Sequence, residues 1–111
     1  QIVVTYLMGF EWDDEKNRAN IDKHGVSFQT AARIFDGPVL TAEDNRFEYG
    51  EVRKNSIGMI EDALILVVTH TDRAGRTRII SARPGSRAER SRYEQALRQG
   101  TQPRGTGDDQ G

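Results

Sequence analysis

A chain of 111 residues, 35% hydrophobic and 30% charged, has material for one hydrophobic core under a heavily charged surface and too little for a second core. It has no cysteine, which excludes disulfides and thiolate metal sites, and no apolar stretch long enough to cross a bilayer as a helix. The formal net charge of −1 conceals an asymmetry: residues 1–45 carry four basic residues against eight acids, whereas residues 73–98 carry eight arginines against only Glu89 and Glu94.

The apolar run over 2–7 is too short for a secretory signal and lacks a basic start, so a cytoplasmic location is the expectation. Residues 1–8, up to Met8, read as an N-terminal extension. Phe10-Glu11-Trp12 alternates as a short strand does. Asp13 or Asp14 can cap a helix with acids in its first turn, running to His24 and closed by Gly25 as the left-handed C′ residue. Ser27 caps a second helix in which Phe28, Ala31, Ala32 and Phe35 fall at i, i+3, i+4 and i+7, one apolar stripe that ends at Asp36-Gly37-Pro38. A short strand over 39–41 follows, then a polar loop over 44–50 and a strand over 51–60, with a turn at Glu61-Asp62. The segment LILVVTHT over 64–71 is apolar on both faces, as a central strand is, and TRIISAR over 77–83 returns from a turn at Gly75. These last three strands read as an antiparallel meander. Ser86 and Glu89 form a capping box opening a helix to Leu97 or Arg98, and residues 100–111 read as a disordered tail. The expectation is a single α+β domain over 9–99, an antiparallel sheet packed against helices in the order β-α-α-β-β-β-β-α.

Eight arginines in 26 residues point to an anionic partner, because a guanidinium binds phosphate through a planar fork and stacks on bases. A solvated charged helix is the better reading of any one of them, and the two readings weigh equally for the cluster as a whole. His24 stands at a helix C-terminus, where positive charge is favoured, and reads either as a structural residue of the turn or as an acid–base group. His70 ends the apolar strand and either closes the core or works at the strand's end. Glu51 and Arg53 share a strand face by the period of two, as an ion pair or as a base beside a phosphate-binding cation. Arg78 and Arg83 bracket RIISAR five residues apart and project to opposite faces, so both line one site only if Arg83 lies beyond the strand. Arg73, Arg87 and Arg90 are further candidates for contact with a phosphate backbone. Trp12 and Tyr93 are core aromatics or, in the sharper reading, base-stacking residues. There is no metal-site spacing, phosphate-binding glycine loop or nucleophile elbow.

FEWD at 10–13, KHGVSF at 23–28, GEVR at 50–53, IG at 57–58, RIISAR at 78–83 and ER..YE at 89–94 succeed one another in an order that resembles the BrnT toxins of type II toxin–antitoxin systems. The resemblance covers nearly all of residues 9–94, although Pro84-Gly85 and the acidic loop before GEVR depart from the pattern. It implies a RelE-like fold, RNA cleavage without metal or cofactor, and neutralisation by a BrnA-like ribbon-helix-helix antitoxin that links the complex to operator DNA. It also favours the functional readings of His24 and of the Glu51–Arg53 pair. The function expected is a metal-independent endoribonuclease that attacks through the substrate's 2′-hydroxyl. Glu51, His24 and His70 are its acid–base candidates, and Arg53, Arg78 and Arg83 its phosphate-binding ones. The alternative is a non-catalytic RNA-binding or antitoxin-bound corepressor module. Only the enzyme requires acid–base groups to converge on a phosphate site.

Overall fold

The computed structural model describes residues 2–100. The expected tail over 100–111 lies, apart from Gly100, outside the described residues. Strands β1 (Val4–Leu7) and β2 (Phe10–Asp13) form a hairpin turned at Met8-Gly9, both with positive φ as a type I′ turn requires. The stretch expected to be an extension thus supplies an edge strand.

Helix α1 (Asp14–His24) begins on the Asp13 carboxylate, which accepts from the backbone N–H groups of Glu15 and Lys16 at 2.8 and 3.2 Å. It ends on Gly25 in the left-handed conformation. Helix α2 (Phe28–Ala31) is capped by Ser27 and runs on as a 3₁₀ turn (Ala32–Asp36). Three residues per turn bring Ile34 under Phe28 and Ala31, so Ile34 is fully buried and Phe35, expected in the stripe, is only half-buried. Opposite Ile34 a strand carries Gly58, where an added Cβ would lie 2.6 Å from the Ile34 Cβ; no other residue fits that approach without displacement.

The remaining elements are β3 (Leu40–Glu43), β4 (Lys54–Ile60), a 3₁₀ turn (Glu61–Ala63), β5 (Leu64–Arg73), β6 (Arg76–Pro84) and α3 (Arg87–Arg98). The six strands lie in the order β1-β2-β6-β5-β4-β3. The meander β4-β5-β6 is antiparallel as expected, and the Ser86–Glu89 capping box is present. The sheet is nevertheless mixed, because β2 pairs parallel with β6 through Phe10↔Thr77 and Glu11↔Arg78. The element order is therefore β-β-α-α-β-β-β-β-α. The strand expected over 51–60 starts only at Lys54. Before it, the backbone is engaged by loop contacts: the Asp44 N–H donates to the Arg53 carbonyl at 2.7 Å and the Thr71 hydroxyl to the Val52 carbonyl at 2.6 Å.

Helices α1 and α2 cover one face of the sheet, burying Trp12, Phe28, Ile34, Leu66, Val68 and Ile79. On the other face Tyr93 of α3 packs on Ile57, Ile65 and Val67. In β6 the register against β5 shifts between Thr69 and His70: Thr69 faces Ser81, His70 faces Ile79, and Ile80 is the extra residue of a bulge. That residue inverts the alternation. Arg78 faces Thr71 and Arg83 faces Val67, both on the α3 side, so the expectation that they project to opposite faces is overturned.

Candidate functional site

Asn55, Thr69 and Ser81 stand opposite one another on β4, β5 and β6, and the Thr69 hydroxyl donates to the Asn55 side-chain oxygen at 2.6 Å. This polar row, half-exposed, is the floor of a cavity of about 480 Å³ whose other lining residues are Lys23, His24, Arg46, Val67 and Arg83. The α1 C-terminus reaches the cavity for a specific reason. Because β2 pairs with β6 only at its start, β6 has an open edge at Ala82, and Asn20 fills it. The Asn20 amide donates to the Ala82 carbonyl at 2.7 Å and accepts from its N–H at 3.2 Å, as a neighbouring strand would. A further bond to the Val26 carbonyl at 2.9 Å ties in the turn after the helix. Lys23 and His24 are thereby set at the cavity rim, at the helix end where the dipole favours cations.

Arg83 and Arg46 enter from two other directions, each held by a carboxylate. Arg83 donates Nη1 and Nη2 to the two oxygens of Glu89, both at 2.8 Å, and Glu89 also closes the α3 capping box. The Arg83 guanidinium, with the Ser86 N–H, pulls the Glu89 pKa down to about 2, and Glu89 in turn raises that of Arg83. Arg46 donates Nε and Nη2 to Asp44 at 2.8 and 2.9 Å. The Asp44 side chain is buried and also accepts the Tyr49 hydroxyl at 3.0 Å. Its pKa is held far below the carboxylate range, chiefly by Arg46.

The expected site residues divide by place. His24 and Arg83 line the cavity. Glu51 and Arg53 do not share a strand face; they lie in the loop before β4 yet still pair, at 3.1 Å, and Glu51 meets Arg73 at 3.1 Å. The two guanidiniums, Arg53 foremost, depress the Glu51 pKa, so it stays a carboxylate. Arg53 stacks 4.1 Å from the centroid of the Tyr49 ring, which links this cluster through Asp44 to Arg46. Arg78 is bound to Glu11 at 2.8 Å, with both side chains largely buried. His70 points to the helical side, 2.8 Å from the Ser56 hydroxyl and edge-on to Phe35, away from the cavity. Trp12 and Tyr93 are 3% and 2% exposed and present no ring to a base; Tyr93 donates its hydroxyl to the Pro38 carbonyl. Arg90 is occupied by Glu94 and the Ala63 carbonyl, and Arg87 is exposed at the start of α3.

Sequence reasoning passed over Lys23, Arg46, Asn55, Thr69 and Ser81. Lys23 stood within KHGVSF, and the β5–β6 pairing would have offered Thr69 and Ser81 had the bulge been legible. Arg46 and its Asp44 anchor lay in the loop where no motif could be aligned.

A family profile described as the ribonuclease toxin BrnT of type II toxin–antitoxin systems matches residues 12–89, from β2 to the first turn of α3. No curated protein matches. Among solved structures, the 1.1 Å crystal structure of the Brucella abortus ribonuclease toxin BrnT is similar at 24% identity and a TM-score of 0.50, covering 68% of this chain and 94% of that one, which is a likeness of fold. The family match spans the polar floor, the Asn20 clip and both anchored arginines, and the chain belongs to the BrnT family of ribonuclease toxins of type II toxin–antitoxin systems.

Proposed function

We propose that the chain is an endoribonuclease toxin that cleaves RNA in the cavity between His24 and Arg83, by attack of the substrate's 2′-hydroxyl and without a metal ion. The observation that carries the reading is the convergence of three cationic side chains and an imidazole on one polar-floored cavity. Lys23, Arg46 and Arg83 suit the charge that develops on a phosphate under attack, and the two arginines, anchored by carboxylates, need little reorganisation as the reaction proceeds. His24 takes the 2′-hydroxyl proton or supplies one to the departing 5′-oxygen. Glu51, held ionised with Arg53 and Arg73, flanks the strand of RNA instead of acting as the acid. Arg78 serves the fold through Glu11.

Membership of a type II toxin–antitoxin family implies an antitoxin partner. A BrnA-like ribbon-helix-helix protein fits the resemblance, and through it the complex reaches operator DNA. One observation favours a binding module that does not cut: Arg46 and Arg83 each already commit two donors to a carboxylate.

The decisive experiment is cleavage by the purified chain in EDTA. The expected product has a 2′,3′-cyclic phosphate or its hydrolysis product on the upstream fragment. A 2′-deoxy nucleotide at the scissile position should abolish cutting and spare binding, and His24→Gln should lower turnover by about 10²- to 10⁴-fold, the usual contribution of a proton-transfer group. Binding without cleavage supports the module, and metal-dependent cleavage to a 5′-phosphate refutes the mechanism.

A further inference from the structure

Phe47 is 67% exposed at the loop beside the cavity, and exposure alone would not single it out, since scattered apolar side chains are normal on a surface. Its setting does. The preceding residue, Arg46, lines the cavity, and its guanidinium carbon lies 5.6 Å from the Phe47 ring centroid. The Tyr49 ring meets Phe47 edge-to-face, with centroids 5.8 Å apart and planes at 75°, which fixes the ring's orientation. The loop itself is tied down. The Asp44 side chain, 1% exposed, accepts from Arg46 Nε and Nη2, the Arg46 N–H and the Tyr49 hydroxyl, and the Asp44 N–H reaches across to Arg53. The open Phe47 ring, which lines the adjoining cavity with Tyr49 and Arg53, is therefore held next to a cation that faces the phosphate site.

We infer that Phe47 is the nucleobase-stacking residue of the site, positioned by the Asp44–Arg46 clamp so that one nucleotide of single-stranded RNA has its phosphate on Arg46 and its base on the ring. The inference rests on the RNA-cleaving reading above and assigns that site a substrate contact. Arg46 donates to Asp44 through Nε and Nη2, and Nη1 has no partner among the described residues, so it remains available to phosphate oxygen. Adjacent side chains match the one-sugar separation of a phosphate from its own base. Every base has a π-face, so such a contact confers grip without strong sequence choice. Trp12 and Tyr93, for which stacking was the sharper of two readings, are buried, and the other open aromatic with an arginine on its ring, Tyr6, does not line the cavity, whereas Phe47 adjoins the cavity's Arg46.

The test uses the purified full-length chain and an uncleavable oligoribonucleotide, 2′-deoxy at the scissile position, with 2-aminopurine placed at successive positions. Wild type should quench the fluorophore at one position. Phe47→Leu, which keeps an apolar side chain but no π-face, should lose that quenching and bind about 5- to 150-fold more weakly, the range for one base–aromatic stack, while keeping its thermal midpoint. Phe47→Trp should restore both. RNA binding and quenching by Phe47→Leu at wild-type levels would overturn the inference and leave the cleavage reading standing. So would intact RNA binding with loss of the co-expressed antitoxin, which would make the ring a protein contact. Wild type that binds no RNA overturns both readings together.

Discussion

His70 sits on the helical side of the sheet, nine-tenths buried, with Ser56 on its Nε2 and the Phe35 ring at right angles to its own. Burial, with the nearby Lys54 charge, lowers its pKa below 6.5, and Asp72 opposes this weakly. A histidine whose folded pKa is depressed binds its proton more readily in the unfolded chain. Stability therefore falls as pH drops from about 6.5 towards the folded value. In urea denaturation between pH 7.5 and 5.5, wild type should lose stability towards acid and His70→Gln should lose clearly less. Equal slopes would mean that the ring takes up a proton in place. The sequence offered both His24 and His70 as end-of-element residues, with the KHGVSF match supporting His24 alone. What separates them is place: His70 alternates with Leu66 and Val68 onto the helical face, whereas His24, at the α1 C-terminus, lines the cavity over Thr69 and Ser81. Burial was the favoured reading for Trp12, an aromatic in a short strand, and for Tyr93, on the packing side of its helix with Ala96 and Leu97, and both rings are covered.

Among the elements, α1 is held to the sheet in an unusual way, through an amide instead of an apolar stripe: Asn20 is its one buried residue. Replacing Asn20 with Ala leaves the N–H and carbonyl of Ala82 without a protein partner, at roughly 1–3 kcal/mol for each buried group so stranded. Asn20→Ala should therefore lower the unfolding free energy by about 2 kcal/mol or more and, because the helix end carries Lys23 and His24, reduce turnover of the protein that remains folded. A variant as stable as wild type would show that water or another donor replaces the clip. Caps, turns, the central strand and the meander were legible because each is signalled within a few residues: Asp13, Ser27, Gly25 and the Ser86–Glu89 box all act where they stand. The Asn20–Ala82 contact and the parallel β2–β6 pair each span more than 60 residues, and neither leaves a local mark.

Over the whole molecule the charge asymmetry becomes an arrangement in space, but not the one composition alone suggests. Of the C-terminal arginines only Arg83 lines the cavity, and it is joined there by Lys23 and Arg46 from the acidic half and the loop. Arg78 and Arg90 are engaged by the chain's own carboxylates. Affinity for an uncleavable single-stranded RNA should fall linearly with salt on logarithmic axes. Arg83→Ala and Arg46→Ala should each reduce the slope by about 0.7, one phosphate contact apiece. Arg78→Ala should leave the slope unchanged, at a cost in stability from the Glu11 charge it strands. Identical slopes for all three variants would return these arginines to the solvated surface.

The extra residue in β6 has a bearing on how this strand can vary. Five steps apart, Arg78 and Arg83 are in phase because Ile80 is bulged out of the alternation between them. Deleting Ile80 would remove the bulge and leave four regular steps, keeping both guanidiniums on the α3 side with Glu11 and Glu89, whereas flattening the bulge at full length would swing one of them into the layer filled by Trp12 and Phe28. A one-residue gap at Ile80 is thus a change of length, not of side, and two relatives that differ by such a gap remain equivalent at these arginines, the longer one carrying the bulge.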